Sequence, residues 1–182
     1  MNPRLVALFL CASLLSVAQA RAKTVLPDAC GEDKVKFEVT TQKNQPVPAG
    51  PDAGKAQIIF VETVDKINTG QCIACGVVTR VGVDGAWVGA TKDKLYFAYS
   101  VDPGEHHLCV GWQSALGKLR QKVSMDDFTA DPGNVYYYQI KVTLDMTYDV
   151  SSGLSLELVP LFADQGKYLV KLSDLASSIP KK

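Results

Sequence analysis

Val83-Asp84-Gly85-Ala86-Trp87-Val88-Gly89, followed by Tyr96-Phe97-Ala98-Tyr99-Ser100-Val101-Asp102-Pro103-Gly104-Glu105-His106-His107-Leu108-Cys109-Val110, decides the fold. Both stretches are apolar runs that reverse at a turn, one at Asp84-Gly85 and one at Asp102-Pro103-Gly104-Glu105. Asp-Gly suits a two-residue type I′ hairpin, because both central residues need positive φ. That register sets Val83 against Ala86, Gly82 against Trp87 and Val81 against Val88. Val81, Val83 and Val88 then share a core face, while Trp87 covers the bare glycine on the other. The second turn predicts Tyr99 opposite Leu108, Phe97 opposite Val110 and Leu95 opposite Trp112, six apolar residues on one face.

Further strands extend outward from this centre. Val35 to Thr40 and Leu119 to Met125 alternate, and Ala56 to Val64 is β-branched and aromatic. Gln42 to Gly54 carries three prolines and two glycines and reads as an arm. Asn134 to Tyr148 alternates cleanly, with one dry and one wet face. A turn near Val150-Ser151-Ser152-Gly153 then sets Tyr148 against Leu154, Met146 against Leu156 and Leu144 against Leu158. Asp126-Asp127 is expected in a turn. Tyr168, Leu169, Leu172, Leu175, Ala176 and Ile179 fit one helical face, with Asp164 as N-cap. The expected architecture is all-β, an antiparallel β-sandwich of about seven to nine strands with a short C-terminal helix.

Residues 1–20 read as a signal peptide, with Arg4, an apolar run from Leu5 to Val17, and Ala18-Gln19-Ala20 at the cleavage site. The apolar run is shorter than the ~20 residues that span a bilayer. Residues 21–53 form an N-terminal strand and Pro/Gly-rich arm, and residues 54–182 the sandwich domain with its helix. Removing 20 residues from 182 leaves 162, enough for one self-sufficient core. Arg4 is the leader's only charge, so 19 basic and 19 acidic residues become 18 and 19. That balance gives no electrostatic footprint for nucleic acid. The expected location is periplasmic or extracellular.

Export changes the reading of the cysteines. Cys11 leaves with the leader, and Cys30, Cys72, Cys75 and Cys109 remain. An even count in an oxidising compartment favours two disulfides, for which three pairings exist. The preferred pairing joins Cys72 to Cys75 and Cys30 to Cys109. Cys72-Ile73-Ala74-Cys75 lacks the following helix of a thioredoxin-type site and the histidine of a haem attachment site. A redox role for Cys72 and Cys75, or a metal site adding Cys109 and His107, is the alternative to structural bridges.

Val81-Gly82-Val83-Asp84-Gly85-Ala86-Trp87-Val88-Gly89-Ala90, with Val101-Asp102-Pro103-Gly104-Glu105-His106 beyond it, resembles the PEGA-type β module. The likeness spans roughly residues 54 to 160 and extends to a family of exported bacterial proteins of unknown function. It implies a structural or interaction element of the envelope and offers no catalytic residues to carry over. The cysteines lie outside the pattern.

Catalytic sets are missing from the sequence. His106 and His107 are adjacent on a strand and point to opposite sides, and no serine has a Gly-x-Ser-x-Gly setting. The face bearing Arg80, Trp87, Tyr96 and His107 is the candidate binding patch. Left open to solvent, it holds a glycan, a peptide or a partner strand; covered by the segment bearing Cys30, it becomes a second small core. The expected function is that of an exported, non-enzymatic interaction module, without cofactor or resident metal. Its expected partner is an envelope protein or polysaccharide.

Overall fold

Along the chain run β1 (Phe37–Gln42), β2 (Ala56–Val64), β3 (Val78–Val83), β4 (Ala86–Lys92), β5 (Leu95–Val101) and β6 (Gly104–Gln113). They are followed by α1 (Gly117–Arg120), β7 (Val123–Ala130), β8 (Val135–Leu144), β9 (Leu154–Leu161), α2 (Ala163–Lys171) and β10 (Asp174–Pro180). The computed structural model describes residues 26–46, 48–64, 76–145, 147 and 153–182. Two sheets face each other, one of six strands in the order β1-β10-β5-β2-β8-β9 and one of four in the order β4-β3-β6-β7. The all-β sandwich with a short helix near the C-terminus is thus what the chain forms.

β2 lies within the larger sheet, and Ala56 to Glu62 are all buried. Its Ile-Ile-Phe-Val run does not alternate, as suits a strand covered on both faces. Ile58 and Phe60 meet Val81, Val83, Leu108 and Val110 between the sheets, while Ile59 and Val61 meet Tyr96, Tyr137 and Val170 on the outer side. Two strand pairs are parallel, β2 with β8 and β5 with β10, so the larger sheet is mixed rather than purely antiparallel.

The Asp84-Gly85 hairpin forms as expected, with φ of 51° and 80° at its two turn residues. Gly82 faces Trp87, but a bulge then sets Val81 against Gly89 instead of Val88. The second expected hairpin does not exist. β5 pairs with β2 and β10, β6 pairs with β3 and β7, and Asp102-Pro103 carries the chain from one sheet to the other. Phe97, Tyr99, Leu108 and Val110 do converge on one core, but from opposite sheets. Alternation fixes which side faces inward; it does not fix which strand lies alongside.

Three further readings are corrected. Leu144 pairs with Leu154 and Ile140 with Leu158, so the β8–β9 connection is longer than expected. The slip is an even number of residues, which keeps every side chain on its face. Asp126 and Asp127 lie inside β7, where Asp127 pairs with His107. The C-terminal helix stops at Lys171 with Phe162 as N-cap, and Leu175, Ala176 and Ile179 belong to β10. Hydrogen bonds to β1 and β5 outweigh the weak helical period there.

On the second face of β8, α2 covers Tyr137 through Gly166 and Val170, while Gln139, Lys141 and Thr143 stay partly exposed as the alternation predicts. A Cβ on Gly166 would lie 2.1 Å from Tyr137 Cγ. Alanine gains about 1 kcal/mol of helix propensity over glycine, but overpacking of this kind costs about 1–3 kcal/mol. Gly166→Ala is therefore expected to lower stability by up to about 2 kcal/mol in urea unfolding, and an increase would show that α2 is not tightly seated.

Candidate functional site

The outer face of the four-stranded sheet is covered by the segment before β1, residues 26–36, which acts as a strap. Two turns shape it, with the Cys30 amide donating to the Pro27 carbonyl (2.9 Å) and the Val35 amide to the Glu32 carbonyl (3.1 Å). Cys30 is bonded to Cys109 of β6, with their Cα atoms 5.2 Å apart across 79 positions of sequence. Closing a loop of that length contributes on the order of 4 kcal/mol in the chain-entropy model. This is the pairing preferred from the sequence. Cys72 and Cys75 lie outside the described residues.

Trp87 and Arg80 form the floor beneath the strap. The Arg80 guanidinium sits 4.3 Å from the Trp87 ring centroid. It donates to the carbonyls of Asp33 (3.0 Å), Val35 (3.1 Å) and Trp112 (3.3 Å). Trp87 Nε1 donates to the Glu32 carbonyl (3.1 Å), and the Gly85 amide to that of Ala29 (3.2 Å). The Asp33 carboxylate bridges two arginines, 3.6 Å from Arg80 and 3.1 Å from Arg120. Burial pulls the Arg80 pKa down; Asp33 opposes that pull and Arg120 adds to it. Gly31 lies against the indole, where a Cβ would come within 2.4 Å of Trp87 Cδ1.

The four residues of the expected binding patch therefore do not form one open surface. Arg80 and Trp87 are 1% and 8% exposed under the strap. Tyr96 is buried in the other sheet under α2. Only His107 is exposed. The covered alternative is the one realised, because the disulfide and the Arg80 hydrogen bonds hold the strap down. Cys109 is spent in the disulfide, so the alternative metal set of Cys72, Cys75, Cys109 and His107 loses a ligand. Among the described residues no group of three histidine, cysteine, aspartate or glutamate side chains is arranged to hold a metal. No helix among them is long and apolar enough to cross a membrane.

The histidines do diverge, yet one carboxylate ties both to the hairpin turn. Asp84 Oδ2 lies 2.7 Å from His106 Nδ1, and Asp84 Oδ1 accepts the His107 backbone amide at 2.9 Å. His106 Nε2 lies 2.7 Å from the Asp102 carbonyl. Both ring nitrogens face acceptors, so the imidazolium is the form this site holds. Burial lowers the His106 pKa, but the Asp102 and Asp84 partners outweigh it and the net shift is upward. Asp84 is opposed by burial, yet the hydrogen bonds from His107 and His106 hold it below the usual carboxylate value.

Sequence reading missed the strap partners Glu32 and Asp33, which sit in an aperiodic stretch, and Arg120, which it placed in an alternating strand from Leu119 but which ends α1, with β7 starting only at Val123. It also missed Glu62, which is 1% exposed on β2 and whose pKa burial pushes well above the carboxylate range. Tyr168 and Leu172, expected on a buried face, are 62% and 61% exposed beside Phe162 at 84%. No family model matches the chain, and no curated protein or solved structure matches it.

Two pH dependences follow from these shifts. The His106–Asp84 contribution is complete above the ordinary aspartate value of 3.8 and below the ordinary histidine value of 6.5. It fades as pH rises through the elevated His106 pKa, or falls through the depressed Asp84 pKa. His106→Gln is accordingly expected to cost most near pH 5–6 and progressively less in alkali. Glu62 has the opposite form. Its folded state holds a proton that the unfolded state releases near 4.5, so stability declines as pH rises above that value. Glu62→Gln should therefore gain on wild type with rising pH, and parallel unfolding curves across pH would reject the assignment.

Proposed function

We propose that this chain is an exported, non-enzymatic β-sandwich module of the bacterial envelope that acts by docking an envelope protein on the outward side of α2. The observation that carries this reading is the exposure of Phe162, Tyr168 and Leu172, at 84%, 62% and 61%. Large apolar side chains exposed along one helix and at both its caps are the kind of surface a partner covers. Lys167 and Lys171 lie exposed on the same helix and suit an apolar contact with an acidic rim. An aliphatic leucine in the patch favours protein over polysaccharide, which would leave it unpaired. The leader-like residues 1–20 and the PEGA-like turns support the envelope assignment. Arg80, Trp87 and Tyr96 of the expected patch are buried, so the interaction role is assigned to α2 instead.

Photocrosslinking at position 168 of the full-length chain in exporting cells tests this. One discrete protein adduct is expected. Leu172→Ser should weaken it about tenfold or more, because burying a leucine is worth about 1.5–3 kcal/mol. Adducts to polysaccharide alone, or protein adducts indifferent to Leu172→Ser, would reject the protein-docking surface.

A further inference from the structure

The strap is a docked peptide that its own chain happens to supply. Its fastenings meet the smaller sheet at Arg80, Trp87 and Cys109, the hairpin turn at Gly85 and α1 at Arg120, and none depends on the covalent link through the arm. Asp33 supplies the charge that complements the two arginines. The fit is particular to this sequence, since Gly31 must lack a Cβ to lie on the indole and Cys30 must reach Cys109. A cleft of about 890 Å³, lined by Leu26, Pro27, Cys30, Asp33, Lys36 and Arg120, runs along the strap and leaves one flank open. Behind strap and β1, the arm turns at Asn44, Gly50 and Gly54, with φ of 57°, 104° and 78°. Extended, its roughly dozen residues reach about 40 Å, far enough to serve a neighbouring domain.

We infer that this slot is an interface for a second copy of the chain, which exchanges its strap and β1 (residues 26–42) so that Cys30 of one copy bonds Cys109 of the other. Exchange re-forms every fastening in trans, including the pairing of β1 with β10. It differs from the closed monomer only in the path of the arm and in the entropy of association. The disulfide fixes whichever arrangement exists when it forms. Two thiols lose two protons and two electrons to a disulfide oxidant, which leaves as two thiols. Oxidation while dilute gives closed monomers, and oxidation while crowded gives covalent pairs carrying two α2 faces. The exchange stands apart from the α2 docking role, because strap and α2 cover opposite outer faces of the sandwich.

The experiment mixes equal amounts of isotopically heavy and light full-length protein, reduced, and oxidises them with glutathione disulfide at a series of protein concentrations. Peptide mapping then reads the Cys30–Cys109 bridge for mixed isotopes. A flexible tether holds the strap at an effective concentration of about a millimolar. Because half of all interchain bridges join a heavy to a light chain, mixed bridges should be rare near 1 µM and reach roughly a twentieth near 0.1 mM. Deleting residues 45–52 shortens the arm and should shift the product to covalent dimer even when dilute. Bridges that stay within one chain at every concentration would overturn the proposal. So would an arm-shortened chain that remains monomeric or fails to fold.

Discussion

Arg80 is the interaction on which the outer half of this structure depends. A guanidinium 1% exposed would be costly without partners, and although Nε has none among the described residues, both terminal nitrogens are held. Here Trp87 occupies one face and the carbonyls of Asp33, Val35 and Trp112 accept its protons, with Asp33 compensating the charge. The strap is thus required by the charge beneath it as much as by the disulfide. Loss of the strap would expose both an aromatic ring and a cation that the sheet by itself cannot satisfy.

The same logic of covering explains the other outer face. β2 is apolar on both sides, so the larger sheet needs a second cover, and α2 provides it through Gly166 and Val170 against Tyr137, Ile59 and Val61. That leaves the opposite side of α2 with Tyr168 and Leu172 facing solvent. The sandwich has spent its strap and one helix face on its own cores. What stays apolar and exposed on α2 is left without a partner element in the sandwich.

At the corner where β5 hands over to β6, charge and turn chemistry are joined. Asp84 at the tip of one hairpin accepts from both His106 and the backbone of His107, while Asp102 at the crossing accepts from His106. The His106 ring links two turns that belong to different strand pairs. This places the pH sensitivity of the fold at its connections, whereas Glu62 places the opposite sensitivity in its interior.

The sequence by itself determined the type of structure and its local punctuation. Alternation and turn residues gave the all-β class, the Asp84-Gly85 hairpin, the extent of β2 and the inward faces of β3, β5, β6 and β8, because these depend on periodicity and φ within a few residues. Only the tertiary structure decided which strands are neighbours. Phe97 and Val110 read equally well as partners in one sheet or as facing residues of two, since either arrangement buries the same sides. It also decided the fate of the aromatic face at Trp87. Nothing local in Gly31-Glu32-Asp33 marks it as a cover, and its role appears only when a disulfide spanning 79 positions brings it onto Arg80. Long-range closure of that kind leaves no periodic trace in the chain.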